Sequence, residues 1–152
     1  IAPSLGREAT AEEALGHHRK AVALGLIPMM GKLRWDSIWL GVKRAEPLLT
    51  ICHCCDCCCY FRLYRFLPEK EAQGLRKLEG LEIRVSDSCD GCGICVERCF
   101  IQAMTLRGGK AVVGETCRGC GRCSLVCPKQ AVKVVLPSEE SLKRYMQRLR
   151  PT

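Results

Sequence analysis

The spacing of apolar and polar residues predicts a helix near the start of the chain. Thr10 and Glu13 have the spacing of a capping box, which predicts a helix over Ala11–Leu24 with apolar residues along one side. Gly25 ends this helix, and Pro28 prevents it from continuing. The chain therefore opens on an amphipathic helix followed by a turn.

A second apolar stripe predicts a short helix over Arg34–Lys43. Four apolar residues recur there at helical spacing: Trp35, Ile38, Trp39 and Val42. We expect this stripe to pack in the core rather than to form a docking face, because apolar stripes of this kind are usually buried. We therefore expect residues 1–50 to form a helical N-terminal region.

The first predicted helix carries two adjacent histidines, His17 and His18. Neither has a second metal-ligating residue one helical turn further along the chain. We therefore expect both to be ordinary residues of the helix surface.

One further helix is predicted on each side of the region 81–136. Residues 61–80 are interpreted as a linker, with a helix over Pro68–Glu79 that stops at Gly80. Residues 137–152 are interpreted as a C-terminal helix with Ser138 as its N-cap. The apolar face of that last helix consists of Leu142, Tyr145, Met146 and Leu149.

The region 81–136 contains an internal repeat. A shift of 28 residues aligns 89–95 with 117–123, and Gln102-Ala103 with Gln130-Ala131. A short β-like stretch follows each Gln-Ala pair. The glycines within the aligned segments permit positive φ and expose backbone N–H groups: Gly91, Gly93, Gly119 and Gly121. The repeat predicts two half-domains related by a pseudo-two-fold axis.

Eight of the 14 cysteines form two copies of the pattern Cys-x2-Cys-x2-Cys-x3-Cys. Three thiolates, each separated from the next by two residues, ligate one [4Fe-4S] cube, and the fourth cysteine of each run ligates the other cluster. Structural zinc sites use two Cys-x2-Cys pairs separated by a longer loop, and cysteines this close make poor disulfides. We therefore assign cluster I to Cys89, Cys92, Cys95 and Cys127, and cluster II to Cys99, Cys117, Cys120 and Cys123.

Residues 81–136 resemble a bacterial-type (clostridial) ferredoxin with two [4Fe-4S] clusters. The resemblance implies an α+β, ferredoxin-type (βαβ)2 domain that transfers single electrons. It departs from the family at Phe100, which stands where a proline usually follows the fourth cysteine. The implied strand pairs are Glu82–Val85 with Val132–Val135 and Ala103–Leu106 with Ala111–Val113, and the implied helices are Ile94–Arg98 and Arg122–Val126.

Residues 51–60 form a cysteine-rich segment that resembles those ahead of ferredoxin-like domains in some predicted iron–sulfur proteins of anaerobes. Neither a strand nor a helix directs four neighbouring thiolates at one point, so we favour a loop around a metal. A third Fe–S cluster, zinc and redox-active dithiols or a sulfur carrier all remain open. The candidate ligands are Cys52, Cys54, Cys55, Cys57, Cys58 and Cys59, with Cys52, Cys55, Cys58 and Cys59 preferred if only four bind.

The composition indicates the cellular compartment and excludes some kinds of partner. So many thiols indicate a reducing cytoplasm, and no apolar run approaches the ~18 residues needed to span a membrane. The formal net charge is +8, but the basic residues are interleaved with acidic ones and form no aromatic-rich basic patch. We therefore expect no nucleic-acid partner. The chain begins at Ile1 rather than Met, so we expect a fragment or a processed product.

Three functional hypotheses follow from these patterns. The first is an electron carrier, or an electron-transfer subunit of a larger oxidoreductase, that works with a redox partner protein. The second is an enzyme subunit whose reaction centre is the cysteine-rich segment. The third is a structural zinc site in that segment. The sequence has no nucleotide-binding glycine loop and no paired carboxylates near a histidine, which argues against a stand-alone enzyme.

Overall fold

The fold is of the mixed α+β class, with helices and small two-stranded antiparallel sheets. The computed structural model describes residues 1, 3–31, 34–42, 48–55, 57, 59–68, 70 and 77–149. The chain divides into two compact units. One consists of Ile1–Cys54 with Leu142–Thr152, and the other of Cys55–Ser141.

The first unit opens with α1, which spans Ala11–Ala23. The predicted capping box is confirmed, because the Glu13 amide donates to Thr10 Oγ1 at 3.2 Å and the Thr10 amide donates to Glu13 Oε2 at 2.8 Å. The helix ends one residue earlier than expected, and Gly25 follows with a φ of +78°. The local signals therefore locate this helix almost to the residue.

Two strands follow α1 in this unit. Strand β1 spans Ile27–Gly31 and pairs antiparallel with β2, Thr50–Cys54, so that Ile27 lies opposite Cys54. Both of these residues are buried, and Ala21 of α1 is buried as well. The first part of the cysteine-rich segment is therefore a strand, where we favoured a loop, because Cys54 contributes to the core like any small apolar side chain.

The helix α2 is shorter than predicted and spans Arg34–Trp39. Ile38 is 61% exposed and Trp39 is 74% exposed, so the expected core packing is wrong for these two residues. Ser37 is buried instead. The Trp35 side chain and Lys43, the expected end of this helix, lie outside the described residues.

The second unit contains the predicted strand pairs. Strand β3, Glu82–Val85, pairs antiparallel with β6, Val132–Val135, as expected. Strand β4, Met104–Arg107, pairs antiparallel with β5, Lys110–Val113. Strand β4 begins and ends one residue later than expected, and β5 begins one residue earlier. A turn at Gly108 and Gly109 joins the two strands.

Two short helices lie between these strands. Helix α3 spans Ile94–Glu97 and α4 spans Arg122–Leu125, each one residue shorter than expected. Each helix follows a glycine in the left-handed region, Gly93 or Gly121. The equivalent placement of the two helices follows the internal repeat.

A 3₁₀ helix over Tyr60–Phe66 precedes the strands. Most of the helix predicted over Pro68–Glu79 lies outside the described residues, and Lys77 and Leu78 at its end are not helical. The C-terminal helix α5 spans Glu139–Leu149, and the Ser141 amide donates to Ser138 Oγ at 3.3 Å. None of the helices in the described residues is long and apolar enough to cross a membrane.

Candidate metal centres

The structure brings the thiol of Cys95 together with three other thiols. Cys95 is buried at the start of α3, and burial raises the pKa of its thiol. The neighbouring thiols of Cys89, Cys92 and Cys127 raise that pKa further. The same four cysteines line one pocket. Three of them come from the first cysteine run and one comes from the second.

A second group of four thiols consists of Cys123 in α4 and three others. Burial raises the pKa of the Cys123 thiol to about 12, and the thiols of Cys120, Cys117 and Cys99 raise it as well. Burial also raises the pKa of Cys120, which interacts with Cys99 and Cys117. Three members of this group come from the second run and one from the first. The two groups therefore have the crossed composition that we expected of the two clusters.

These groups differ from a site for a single ion. In the part of the chain that the structure describes, no three His, Cys, Asp or Glu side chains converge closely enough to hold one metal ion. The four thiolates of a [4Fe-4S] cube bind four different irons, so they do not need to converge on one point. The crossed groups are compatible with that more open arrangement.

Backbone amides donate to the sulfurs of the fourth cysteine in each run. The Ala103 amide lies 3.2 Å from Cys99 Sγ, and the Ala131 amide lies 3.3 Å from Cys127 Sγ. The residues before these alanines, Gln102 and Gln130, adopt positive φ values of +56° and +50°. The repeated Gln-Ala pair thus turns an amide toward a sulfur, a purpose that the sequence alone did not reveal. Such donors favour the charged thiolate.

The glycines of the two cysteine runs have the positive φ expected of them. Gly91 also allows a close approach, because a Cβ at this position would meet the carbonyl oxygen of Gly109 in the β4–β5 turn. Gly93 is different, since a Cβ there would make only an ordinary contact with Leu106 Cδ1 at 3.8 Å. Gly91 is therefore required both for its backbone conformation and for space.

Phe100, which directly follows Cys99, has a definite structural role. It is 8% exposed, and the guanidinium carbon of Arg122 lies 4.5 Å from the centroid of its ring. This is the geometry of a cation–π contact. Phe100 therefore provides a packed contact between the two cysteine runs.

The cysteine-rich segment is divided between the two units. Cys52 and Cys54 belong to β2, with their sulfurs 3.9 Å apart. Cys55 and Cys57 belong to the second unit, with their sulfurs 2.8 Å apart. Cys59 in the same unit is buried. Cys58, one of the preferred ligands, lies outside the described residues.

The histidines are closer together than the sequence suggested. His18 Nδ1 lies 3.1 Å from His53 Nε2, and the ring centroids of His17 and His53 are 5.4 Å apart. Burial lowers the pKa of His53, and the neighbouring His18 and His17 lower it further. The prediction of ordinary surface histidines missed this group because His53 is 35 residues away from His18.

Comparisons with models of protein families and with curated proteins give no match for this chain. The function must therefore be inferred from the cysteine spacing and from the geometry of the described residues.

Proposed function

We propose that residues 81–136 form a ferredoxin-type domain with two [4Fe-4S] clusters, and that the chain transfers single electrons. In this role it is an electron carrier or an electron-transfer subunit of a larger oxidoreductase. The observation that carries the proposal is the crossed grouping of the eight thiols, with three from one run and one from the other in each group. Cysteine spacing and tertiary contacts thus agree on the same two sets.

The residues present suit such clusters. Cys89, Cys92, Cys95 and Cys127 would hold cluster I, and Cys99, Cys117, Cys120 and Cys123 would hold cluster II. When bound, each cluster supplies a centre that gains or loses one electron at a time. The chain's own contribution is to shield seven of the eight cysteines at least partly from solvent. It also directs amides at Cys99 and Cys127, and these amides stabilise negative charge on the two sulfurs.

The difference in exposure between two cysteines supports a point of entry for electrons into the domain. Cys92 is exposed, whereas Cys95 in the same group is buried. One corner of cluster I would therefore lie at the protein surface, where a redox partner protein could approach it closely. A surface corner of this kind suits exchange with a partner better than it suits chemistry on an enclosed substrate.

Metal and sulfide analysis of anaerobically purified protein tests the proposal. We expect about eight irons and eight acid-labile sulfides per chain from residues 81–136, and an EPR signal after reduction with dithionite. A protein that binds zinc at these cysteines and no iron or sulfide would contradict the proposal.

The same analysis separates the candidates for residues 52–59. We propose a third Fe–S cluster there as the working assignment, which predicts about twelve irons per chain and no zinc. About eight irons with one or two zinc ions would favour a structural zinc site instead.

A second candidate function, an enzyme subunit with its reaction centre in this segment, is supported by the 2.8 Å contact between the sulfurs of Cys55 and Cys57. A disulfide between cysteines this near in sequence is strained, and a strained disulfide is readily reduced again by two electrons and two protons, as a reaction centre requires. The clusters would supply these electrons one at a time.

Thiol counting before and after oxidation tests that candidate. The wild-type protein and a Cys52→Ser control should each lose two reactive thiols on oxidation, whereas Cys55→Ser and Cys57→Ser should not. Retention of both thiols in the oxidised wild type, or their occupation by metal, would contradict it.

A further inference from the structure

The two cysteine runs differ in charge at equivalent positions of the repeat. Shifting the first run by 28 residues places Asp90 on Arg118 and Ile94 on Arg122. The first run therefore carries one negative side chain at these positions, and the second run carries two positive ones. Because the two runs have similar backbones, two clusters bound there would differ mainly in the charges of the side chains around them.

Arg122 has the greatest effect of these charges because it is buried. It is 9% exposed, whereas Ile94 is 36% exposed. Its guanidinium rests on the ring of Phe100, the residue directly after Cys99. A charge held away from solvent is screened less by water and salt than one on the surface. The Phe100 contact thus fixes a positive charge beside the second thiol group.

Arg122 lies directly before Cys123 in α4, and its side chain reaches the ring of Phe100, which directly follows Cys99. Cys123 and Cys99 both belong to the second thiol group. The equivalent position in the first run is Ile94, which carries no charge. The positive field at the second group is therefore a property of the fold and not only of the sequence.

Charges near the first group are more exposed. Lys129 lines its pocket, but its side chain is 58% exposed and its ammonium lies 4.0 Å from the carboxylate of Asp90. The two charges offset each other, and solvent screens both. Lys129 therefore does not balance the effect of Arg122 at the second group.

We infer that Arg122 sets the direction of electron flow within the domain by giving cluster II a higher reduction potential than cluster I. The inference rests on the proposed function. A nearby positive charge stabilises the more negative, reduced state of a cluster and raises its potential. With both clusters bound, an electron that entered at cluster I would pass to cluster II, so that cluster I would lose one electron and cluster II would gain one. No proton is moved.

Redox titration of the cluster-loaded protein tests the inference. The wild type should be reduced in two separate one-electron steps. Arg122→Ile, which copies the residue of the first run, should lower the higher midpoint potential and leave the lower one unchanged. The difference between the two midpoint potentials should therefore become smaller. Ile94→Arg should raise the lower midpoint. Arg122→Lys should keep most of the difference between the two midpoint potentials, because the positive charge is retained although the planar stacking on Phe100 is lost.

Two controls make the result specific. Paramagnetic NMR of the Cys120 β-protons should assign the shifted midpoint to cluster II, and iron content should be equal in all variants. Arg118→Ile should shift that midpoint less than Arg122→Ile does, because Arg118 is more exposed.

Unchanged midpoints in a fully loaded Arg122→Ile protein, or equal shifts of both clusters, would overturn the inference and leave the proposed function standing. A wild-type protein that binds no Fe–S cluster would overturn the proposed function itself.

Discussion

Replacement of Gly91 by alanine should damage the first cysteine run far more than the same change at Gly93. Both glycines have a left-handed backbone, with φ of +71° and +82°. An alanine in this region costs about 1–2 kcal/mol at either position. Only at Gly91 does the new Cβ also meet a backbone carbonyl, that of Gly109. Forcing such a contact costs about 1–3 kcal/mol more.

The expected totals are therefore about 2–5 kcal/mol for Gly91→Ala and about 1–2 kcal/mol for Gly93→Ala. Gly93→Ala is a matched control, because it has the same backbone strain in the same loop and only an ordinary contact with Leu106. A small domain draws only about 3–5 kcal/mol from its core, so the larger loss removes much of its stability.

The assay is the rate at which the visible absorption of the clusters bleaches in denaturant under anaerobic conditions. If the clash is relieved on unfolding, Gly91→Ala should bleach about 5- to 150-fold faster than Gly93→Ala. Iron per chain after purification provides a second measurement if Gly91→Ala does not fold. Equal bleaching rates and equal iron contents of the two variants would refute the close approach of Gly91 to the β4–β5 turn.

Three other predictions concern the thiols and the repeat. Cys99→Ala should selectively lose cluster II, and Cys127→Ala should lose cluster I, as read from EPR and iron content; the reverse pattern would overturn the crossed assignment. Because burial raises the pKa of Cys123 to about 12, metal binding must displace a proton, so cluster assembly should release protons and should accelerate from about pH 7 to about pH 9. An assembly rate independent of pH would contradict this reasoning. Gln130→Val should be less stable than Gln130→Gly by about 1–2 kcal/mol, since the backbone at this position is left-handed; equal denaturation midpoints would argue against that conformation.

The sequence alone located the elements whose signals are local. The capping box at Thr10 and Glu13 predicted the start of α1. The resemblance to two-cluster ferredoxins implied α3 and α4, and the expected bounds differ from the structure by one residue each. Turn chemistry and cysteine spacing act over a few residues, so they can be recognised in an isolated segment. The resemblance to two-cluster ferredoxins added the pairing of β3 with β6, which the structure confirms.

Only the tertiary structure decided which side chains meet across long stretches of chain. It exposed Trp39 where helical spacing predicted burial, because periodicity identifies an apolar face without showing whether anything covers it. It paired β2 with β1 and brought His53 to His18, and it stacked Arg122 on Phe100. Contacts of this kind depend on how distant segments pack, and local patterns of residues carry no information about that.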